Sequence, residues 1–366
     1  MGRVYIIGID HVLEKTTYIY QYLEKSGFKV TYFSSDDAGF SKAFHKENIV
    51  FLSYGKLLSL FVILFYLIFK RPKHVEFYFS RLYFETFPTL ILCKFLMIPT
   101  SLVSRGMDLR DHFSHKKIRQ LLTKFIARNV NLILAKERSH LKVLDTFNLK
   151  KKVFVKEIHN GIPLEKFTKN KFGTNKKTFL FLNSFREIRK VNLLINAFSI
   201  LNKSYPEARL LLIGSSLNID FLPQKKEKVR EEKLMSLISD LKLEKVIDVL
   251  PFSTQPWKKI NNILSFVNPS DPIWLNNALL EAMAYSIPPI IIDADRASDI
   301  IVDNKEGLIT PQHEQSFADA MAYMLRNTDT AEIMGESARK KVISNFSSER
   351  VGKEIFDLYK EKLWKN

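Results

Sequence analysis

Residues Asn268–Ile309 read NPSDPIWLNNALLEAMAYSIPPIIIDADRASDIIVDNKEGLI. The segment predicts the end of a strand, a tight loop, a short apolar helix, a second strand, and an acidic turn closing on Gly307. The helix carries one carboxylate, Glu281, among Leu279, Leu280, Ala282, Met283 and Ala284. An ionised carboxylate so placed either accepts hydrogen bonds from a ligand or faces solvent. A helix this short between two apolar strands is the unit from which parallel α/β sheets are built.

Outward from this segment the same alternation covers the chain. In the first half strands are expected at Val4–Gly8, Lys29–Phe33, His74–Phe79, Ser101–Ser104, Asn131–Leu134 and Val155–His159, with helices between them, including a basic one over Lys116–Arg128. A polar, lysine-rich connector runs from Pro163 to Lys177, and composition of that kind marks a domain boundary. Alternation then restarts with strands at Thr178–Leu182, Arg209–Ile213, Val246–Leu250 and Ser265–Asn268. Three helices close the chain: Ser316–Arg326, Thr330–Asn345 and Ser348–Leu363. The expected fold is α/β, with two tandem doubly wound, Rossmann-like domains facing a cleft, where ligands of such sheets bind. The expected division is 1–165, 166–345 and a terminal helix, 346–366, returning to the first domain.

Composition narrows the class. The chain has 366 residues with 46% hydrophobic and 26% charged residues, which suits a folded protein of two ordinary domains. Its one cysteine, Cys93, excludes an internal disulfide and fits a reducing compartment. The net charge is +17, and residues 1–165 hold 26 Lys and Arg against 14 Asp and Glu. Such a surface attracts nucleic acid, anionic lipid or a phosphorylated substrate. No nucleic-acid-binding module is visible, so nucleic acid is not an expected partner. The start, MGRVYIIGID, has neither the basic nor the long apolar region of a signal peptide. The apolar run Leu57–Phe69 would make a helix about 20 Å long, too short for a bilayer core of about 30 Å. It is expected as a buried crossover helix, with docking on a membrane surface as the alternative, helped by Lys56, Lys70, Arg71 and Lys73. The eight histidines are scattered, and no spacing matches a zinc or calcium site.

Four phrases occur in an order and spacing that resemble family 4 glycosyltransferases, the retaining, GT-B-architecture family. They are Ile158–Phe167 (IHNGIPLEKF), Phe179–Phe198 (FLFLNSFREIRKVNLLINAF), Tyr205–Gly214 (YPEARLLLIG) and the opening segment. The resemblance implies a glycosyltransferase of hexosyltransferase type. Its donor would be a nucleotide sugar, and its acceptor a glycan or lipid-linked molecule in cell-surface polysaccharide or lipopolysaccharide synthesis. It implies no metal and no cofactor, and a cytoplasmic protein that is peripheral at the inner membrane face. The alternative is a catalytically degenerate relative acting as a partner subunit or glycan-binding module.

The resemblance also assigns roles. Glu281 would accept the ribose hydroxyls. Arg189 falls on the family's phosphate-binding lysine, Lys190 on its following glycine and Ser184 on its arginine, with Arg186 near enough to compensate. Asn276, Asn277 and Leu280 would line the donor, with Asn276 or Asn277 alternatively the helix N-cap. The family places a second glutamate eight residues before Glu281; here Ile273 stands there and Asp271 is the nearest carboxylate, so Asp271 is the substitute candidate. Arg105, in Ser104–Asp108 (SRGMD), stands where the family has histidine, and would bind an anionic sugar or acceptor phosphate or simply face solvent. Glycines after the first strand of the first domain are replaced here by Gly8-Ile9-Asp10-His11.

Overall fold

A computed structural model of the chain describes residues 2–8, 18–34, 49–52, 55–78, 83–104, 117–136, 138–149, 153–167, 177–215, 224–251, 253, 256–258, 260, 262–271, 277–294 and 297–364. The chain divides into two compact units, Met1–Pro163 with Ser347–Asn366, and Leu164–Phe346.

The first unit is a seven-stranded parallel sheet. Its strands are β1 (Arg3–Ile7), β2 (Lys29–Ser34), β3 (Ile49–Phe51), β4 (His74–Tyr78), β5 (Thr100–Ser104), β6 (Leu132–Ala135) and β7 (Phe154–Glu157), in the order β3-β2-β1-β4-β5-β6-β7. Strands β4 and β5 are buried at every residue, as both faces of such a sheet are covered. Between the strands run α1 (Gln21–Lys25), α2 (Gly55–Phe69), α3 (Tyr83–Phe95), α4 (Lys117–Asn129) and α5 (Arg138–Thr146). One core, including Ile63 and Leu67 of α2, Leu90 and Cys93 of α3 and Ile126 of α4, fills one face. The other face is closed by Tyr20, Leu23, Val351, Ile355 and Tyr359.

The second unit holds β8 (Thr178–Leu182), β9 (Arg209–Ser215), β10 (Ile247–Pro251), β11 (Ile263–Asn268), β12 (Pro289–Ile292) and β13 (Leu308–Thr310), all parallel in the order β10-β9-β8-β11-β12-β13. Its helices are α6 (Val191–Asn202), α7 (Gln224–Asp240), α8 (Asn277–Ala284), α9 (Ala297–Ile300), α10 (Glu314–Arg326) and α11 (Thr328–Lys341). After a π-helical turn, Val342–Phe346, the chain re-enters the first unit as α12 (Ser348–Lys362). Ser347 caps α12 by accepting a hydrogen bond from the Arg350 N–H at 3.2 Å. Gly352 permits its close approach to the first unit, since a Cβ there would lie 2.5 Å from the Ile19 carbonyl oxygen.

Besides strands β3 and β13, which the sequence reading did not expect, two features differ from the sequence expectation. The apolar run Leu57–Phe69 is a crossover helix buried on one side only; Ser59, its sole polar residue, points inward and donates to the Leu52 carbonyl at 3.2 Å. Beneath α12, the apolar core contains a carboxylate. Fully buried Glu76 on β4 accepts hydrogen bonds from Tyr20 and Tyr359, and from Ser101 at 2.6 Å. His74 Nε2 lies 2.8 Å from Ser101 Oγ. Burial raises the Glu76 pKa against the pull of these donors, and burial alone lowers that of His74 to about 3. Burial thus shifts both groups toward their neutral forms.

Candidate active site

Within the second sheet the strand order reverses direction between β8 and β11, which lie side by side. Ligands of open parallel sheets bind outside the carboxyl ends of the strands at such a switch point. The segments leaving these two strands are Asn183–Lys190 and Pro269–Asp271, and two bonds join them. The Asp271 N–H donates to the Ile188 carbonyl at 3.1 Å, and Lys190 Nζ donates to Asp271 Oδ2 at 2.9 Å. Gly214, at the end of β9 with φ +159°, lets that strand close on the first segment: a Cβ there would sit 1.7 Å from the Asn183 carbonyl oxygen.

Lys190 occupies the left-handed region, φ 48° and ψ 41°, immediately before α6. A cation at a helix N-terminus opposes the positive end of the helix dipole, so it needs an anion nearby. Asp271 supplies one. Arg189 ends the 3-10 turn Glu187–Arg189 and is only 6% exposed. Arg186 is exposed and donates from Nε to Ser184 Oγ at 3.2 Å. A buried guanidinium and a half-buried ammonium thus flank the N-terminus of α6, the arrangement that receives oxyanions.

Glu281 lies one turn into α8 and is 5% exposed. The Trp257 indole N–H, from the turn Pro256–Lys258, donates to Glu281 Oε2 at 2.7 Å. The Trp257 ring lies 4.8 Å from that of Tyr285, which meets Phe167 edge-on at 5.1 Å. Burial and the Glu281 charge both raise the Tyr285 pKa. Arg339 of α11 donates to the carbonyls of Phe167, at 3.1 Å, and Ala284, joining the start of the unit to the end of α8. Ser286 ends α8 with φ 61°, and its carbonyl oxygen would lie 2.0 Å from any Cβ on Gly335 of α11. The helix that carries Glu281 is therefore held at its far end by packing too tight for a side chain.

The remaining sequence candidates fall as follows. Asn277 is the first residue of α8, and its Oδ1 is buried with no hydrogen-bond partner among the described residues. Leu280 is fully buried in the core. Asp271 is committed to Lys190 and so does not stand as an isolated carboxylate. Arg105, Asn276, Ile273 and the residues after Gly8 in the first glycine turn lie outside the described residues. No group of three His, Cys, Asp or Glu side chains among the described residues is arranged to hold a metal ion. Trp257 and Arg339 were not singled out by the sequence. A lone tryptophan in an irregular segment has no periodicity to mark it, and an arginine in the last turn of a helix reads as a dipole partner.

Residues 164–341 match the family model of glycosyl transferases group 1, a span that lies within the second unit. The chain is 24% identical over 210 residues to the capsular polysaccharide biosynthesis glycosyltransferase CapM of Staphylococcus aureus, covering 55% of this chain and 52% of that protein. It is 23% identical over 242 residues to the poly(ribitol-phosphate) alpha-N-acetylglucosaminyltransferase of Staphylococcus aureus strain COL, covering 64% and 46% of the two chains. The chain thus spans about half the length of these curated relatives. The structure of Anabaena HepE in complex with UDP and glucose superposes over 99% of this chain and 100% of that one, with TM-score 0.77 and 13% identity. The fold is the two-domain Rossmann-like architecture of the GT-B glycosyltransferases.

Proposed function

We propose that this protein is a glycosyltransferase that moves a sugar from a nucleotide-sugar donor to a glycan or lipid-linked acceptor in cell-surface polysaccharide synthesis, with retention of configuration at the anomeric carbon. The observation that carries the proposal is Glu281: a carboxylate buried on a short helix beside the strand-order reversal, oriented by the Trp257 indole at 2.7 Å, inside the segment that matches the group 1 family. One carboxylate can accept both ribose hydroxyls, which fixes the nucleoside without touching the reacting bond.

Arg189, with Lys190 and Arg186, then faces the diphosphate. In sugar transfer the bond from the anomeric carbon to the diphosphate oxygen breaks, and negative charge grows on the leaving group. Cations and helix N–H groups placed there stabilise the transition state more than the ground state. The N–H groups at the start of α8, beside Asn277, serve the donor in the same way. No resident metal or cofactor is required for this scheme. The basic first unit receives the acceptor, and Arg105 is its candidate anion ligand.

UDP is the first nucleotide to test, because HepE was solved with it. Calorimetry with UDP, GDP and CMP, followed by a donor screen read as nucleotide release, checks the proposal. Binding of one nucleotide and release from its sugar conjugate are expected. Absence of binding to all three would replace it with the second reading, a degenerate partner or glycan-binding subunit, which the neutralisation of Lys190 by Asp271 favours.

A further inference from the structure

Helix α2, unlike an ordinary surface helix, is apolar on its outer side as well as its inner one. Its 15 residues extend about 22 Å, with Ser59, Ile63 and Leu67 turned to the core. Leu57, Leu58, Phe61, Phe65, Ile68 and Phe69 are all exposed, Phe69 to 70%. At 3.6 residues per turn these six fall within an arc of about 120°. A stripe of that width is what a surface helix normally buries.

The stripe does not end with α2. α2 packs on α3, and α3 on α4. Phe95 of α3 is 83% exposed and Met97, just beyond it, 82%. On α4, Leu121 is 65% exposed and Phe125 meets Phe87 of α3 at 5.1 Å. Three neighbouring helices on one face of the sheet therefore leave large apolar side chains outside. Contiguous apolar surface of this kind marks an interaction site.

Charge identifies the occupant. The three helices contain a single carboxylate, Glu85, which is buried. Lys70 and Arg71 follow α2 directly; Arg71 is fixed by donating to the Leu96 carbonyl at 2.7 Å, and Lys94 donates to Asn129. Arg128 is exposed at the end of α4. Arg3, Lys29 and Lys70 further rim a pocket floored by Tyr5, Thr31 and Tyr66. A second copy of the chain meeting this face symmetrically would set cations against cations. An anionic bilayer instead offers hydrocarbon to the apolar side chains and headgroup phosphates to the cations.

We infer that α2, α3 and α4 form a membrane-docking surface, with the apolar side chains entering the lipid and the cations, including the Arg3–Lys29–Lys70 pocket, meeting anionic headgroups. No described helix is long and apolar enough to cross a membrane, so the contact is interfacial. The inference does not depend on sugar transfer, and its test needs no donor.

The test is sedimentation of the whole protein with vesicles of phosphatidylcholine alone, or mixed equally with phosphatidylglycerol. Wild type is expected to sediment with the mixed vesicles and not with the neutral ones. Phe61→Ser/Phe65→Ser/Phe95→Ser should lower that partition about tenfold or more with an unchanged melting temperature, because all three positions face outward. Lys29→Glu/Lys70→Glu should abolish the preference for phosphatidylglycerol and supplies the answer if the serine variant fails to fold. Wild type remaining in the supernatant with both vesicles would overturn the inference. So would a concentration-dependent dimer in light scattering that the serine variant dissolves, since the face would then serve a second copy.

Discussion

Lys190 and Asp271 are 81 residues apart and lie on segments leaving two adjacent strands, yet their charged atoms meet at 2.9 Å. The pair closes the seam where the second sheet reverses its strand order. It also sets a competition: a diphosphate at the N-terminus of α6 and the Asp271 carboxylate would draw on the same ammonium. Asp271→Asn removes the competitor while preserving shape. If Lys190 serves the phosphates, UDP affinity in calorimetry should rise by about threefold, or ~0.6 kcal/mol, within the range of a partly exposed ion pair. Unchanged affinity would confine Lys190 to the structural tie.

Glu281 and Arg189 should be separable by ligand. Glu281→Ala is expected to cost about 1.5–3 kcal/mol in binding, the worth of hydrogen bonds to a charged group, and to do so equally for uridine and UDP. Trp257→Phe, which keeps a ring but removes the N–H, should cost about 1 kcal/mol through loss of carboxylate orientation. Arg189→Ala should weaken UDP far more than uridine, and equal losses would remove it from the phosphates.

Ser286 holds a left-handed conformation at the end of α8 with φ 61°, and its buried hydroxyl finds no partner among the described residues. Both features oppose folding. Ser286→Gly relieves the backbone and deletes the hydroxyl, and should stabilise the second unit by about 1 kcal/mol in denaturant titration. A loss of stability would show that the hydroxyl is satisfied by something other than these residues.

The buried histidine of the first unit predicts acid sensitivity. His74 has a folded pKa of about 3 against an ordinary 6.5, so the unfolded chain binds a proton that the folded chain refuses. Its contribution is complete above pH 6.5 and is lost as the pH falls toward 3. Between pH 7 and pH 5 that loss is about 2 kcal/mol. Glu76 acts in the opposite direction: its pKa is raised, so its contribution is present below the ordinary carboxylate range and declines as pH rises through the folded value. Unfolding followed at pH 5 and pH 7 reads the sum of the two, and His74→Gln should remove the His74 part, lowering the stability gained between pH 5 and pH 7 by about 2 kcal/mol relative to wild type.

What the sequence made legible was local or inherited from a phrase. Strand–helix alternation located both sheets, because each β-branched apolar run and each helical stretch carries its own periodicity. The resemblance placed Lys190 on a glycine of the family pattern. Lys190 has positive φ in the structure, so the backbone requirement was written in the resemblance even though the residue type had changed. Contacts across the fold were not legible. Nothing in the segment around Trp257 announces that its N–H meets Glu281, and no spacing reveals that Lys190 and Asp271 pair. The orientation of α2 was hidden for a different reason: the almost uniformly apolar run Leu57–Phe69 has no polar face to point outward, and Ser59, which interrupts it, turns in.

The union of Glu76 with Tyr20 and Tyr359 has a consequence for how the molecule is made. Tyr359 belongs to α12, which is translated only after the whole of the second unit. The second unit, Leu164–Phe346, contains all six strands of its own sheet and can close as soon as it leaves the ribosome. The first unit, although it is synthesised first, waits with one face of its sheet only partly covered and Glu76 without one of its three hydroxyl donors, Tyr359, until α12 arrives. Domains ordinarily fold in the order of their synthesis. Here the order is inverted, and the unit that starts the chain is the last to be finished.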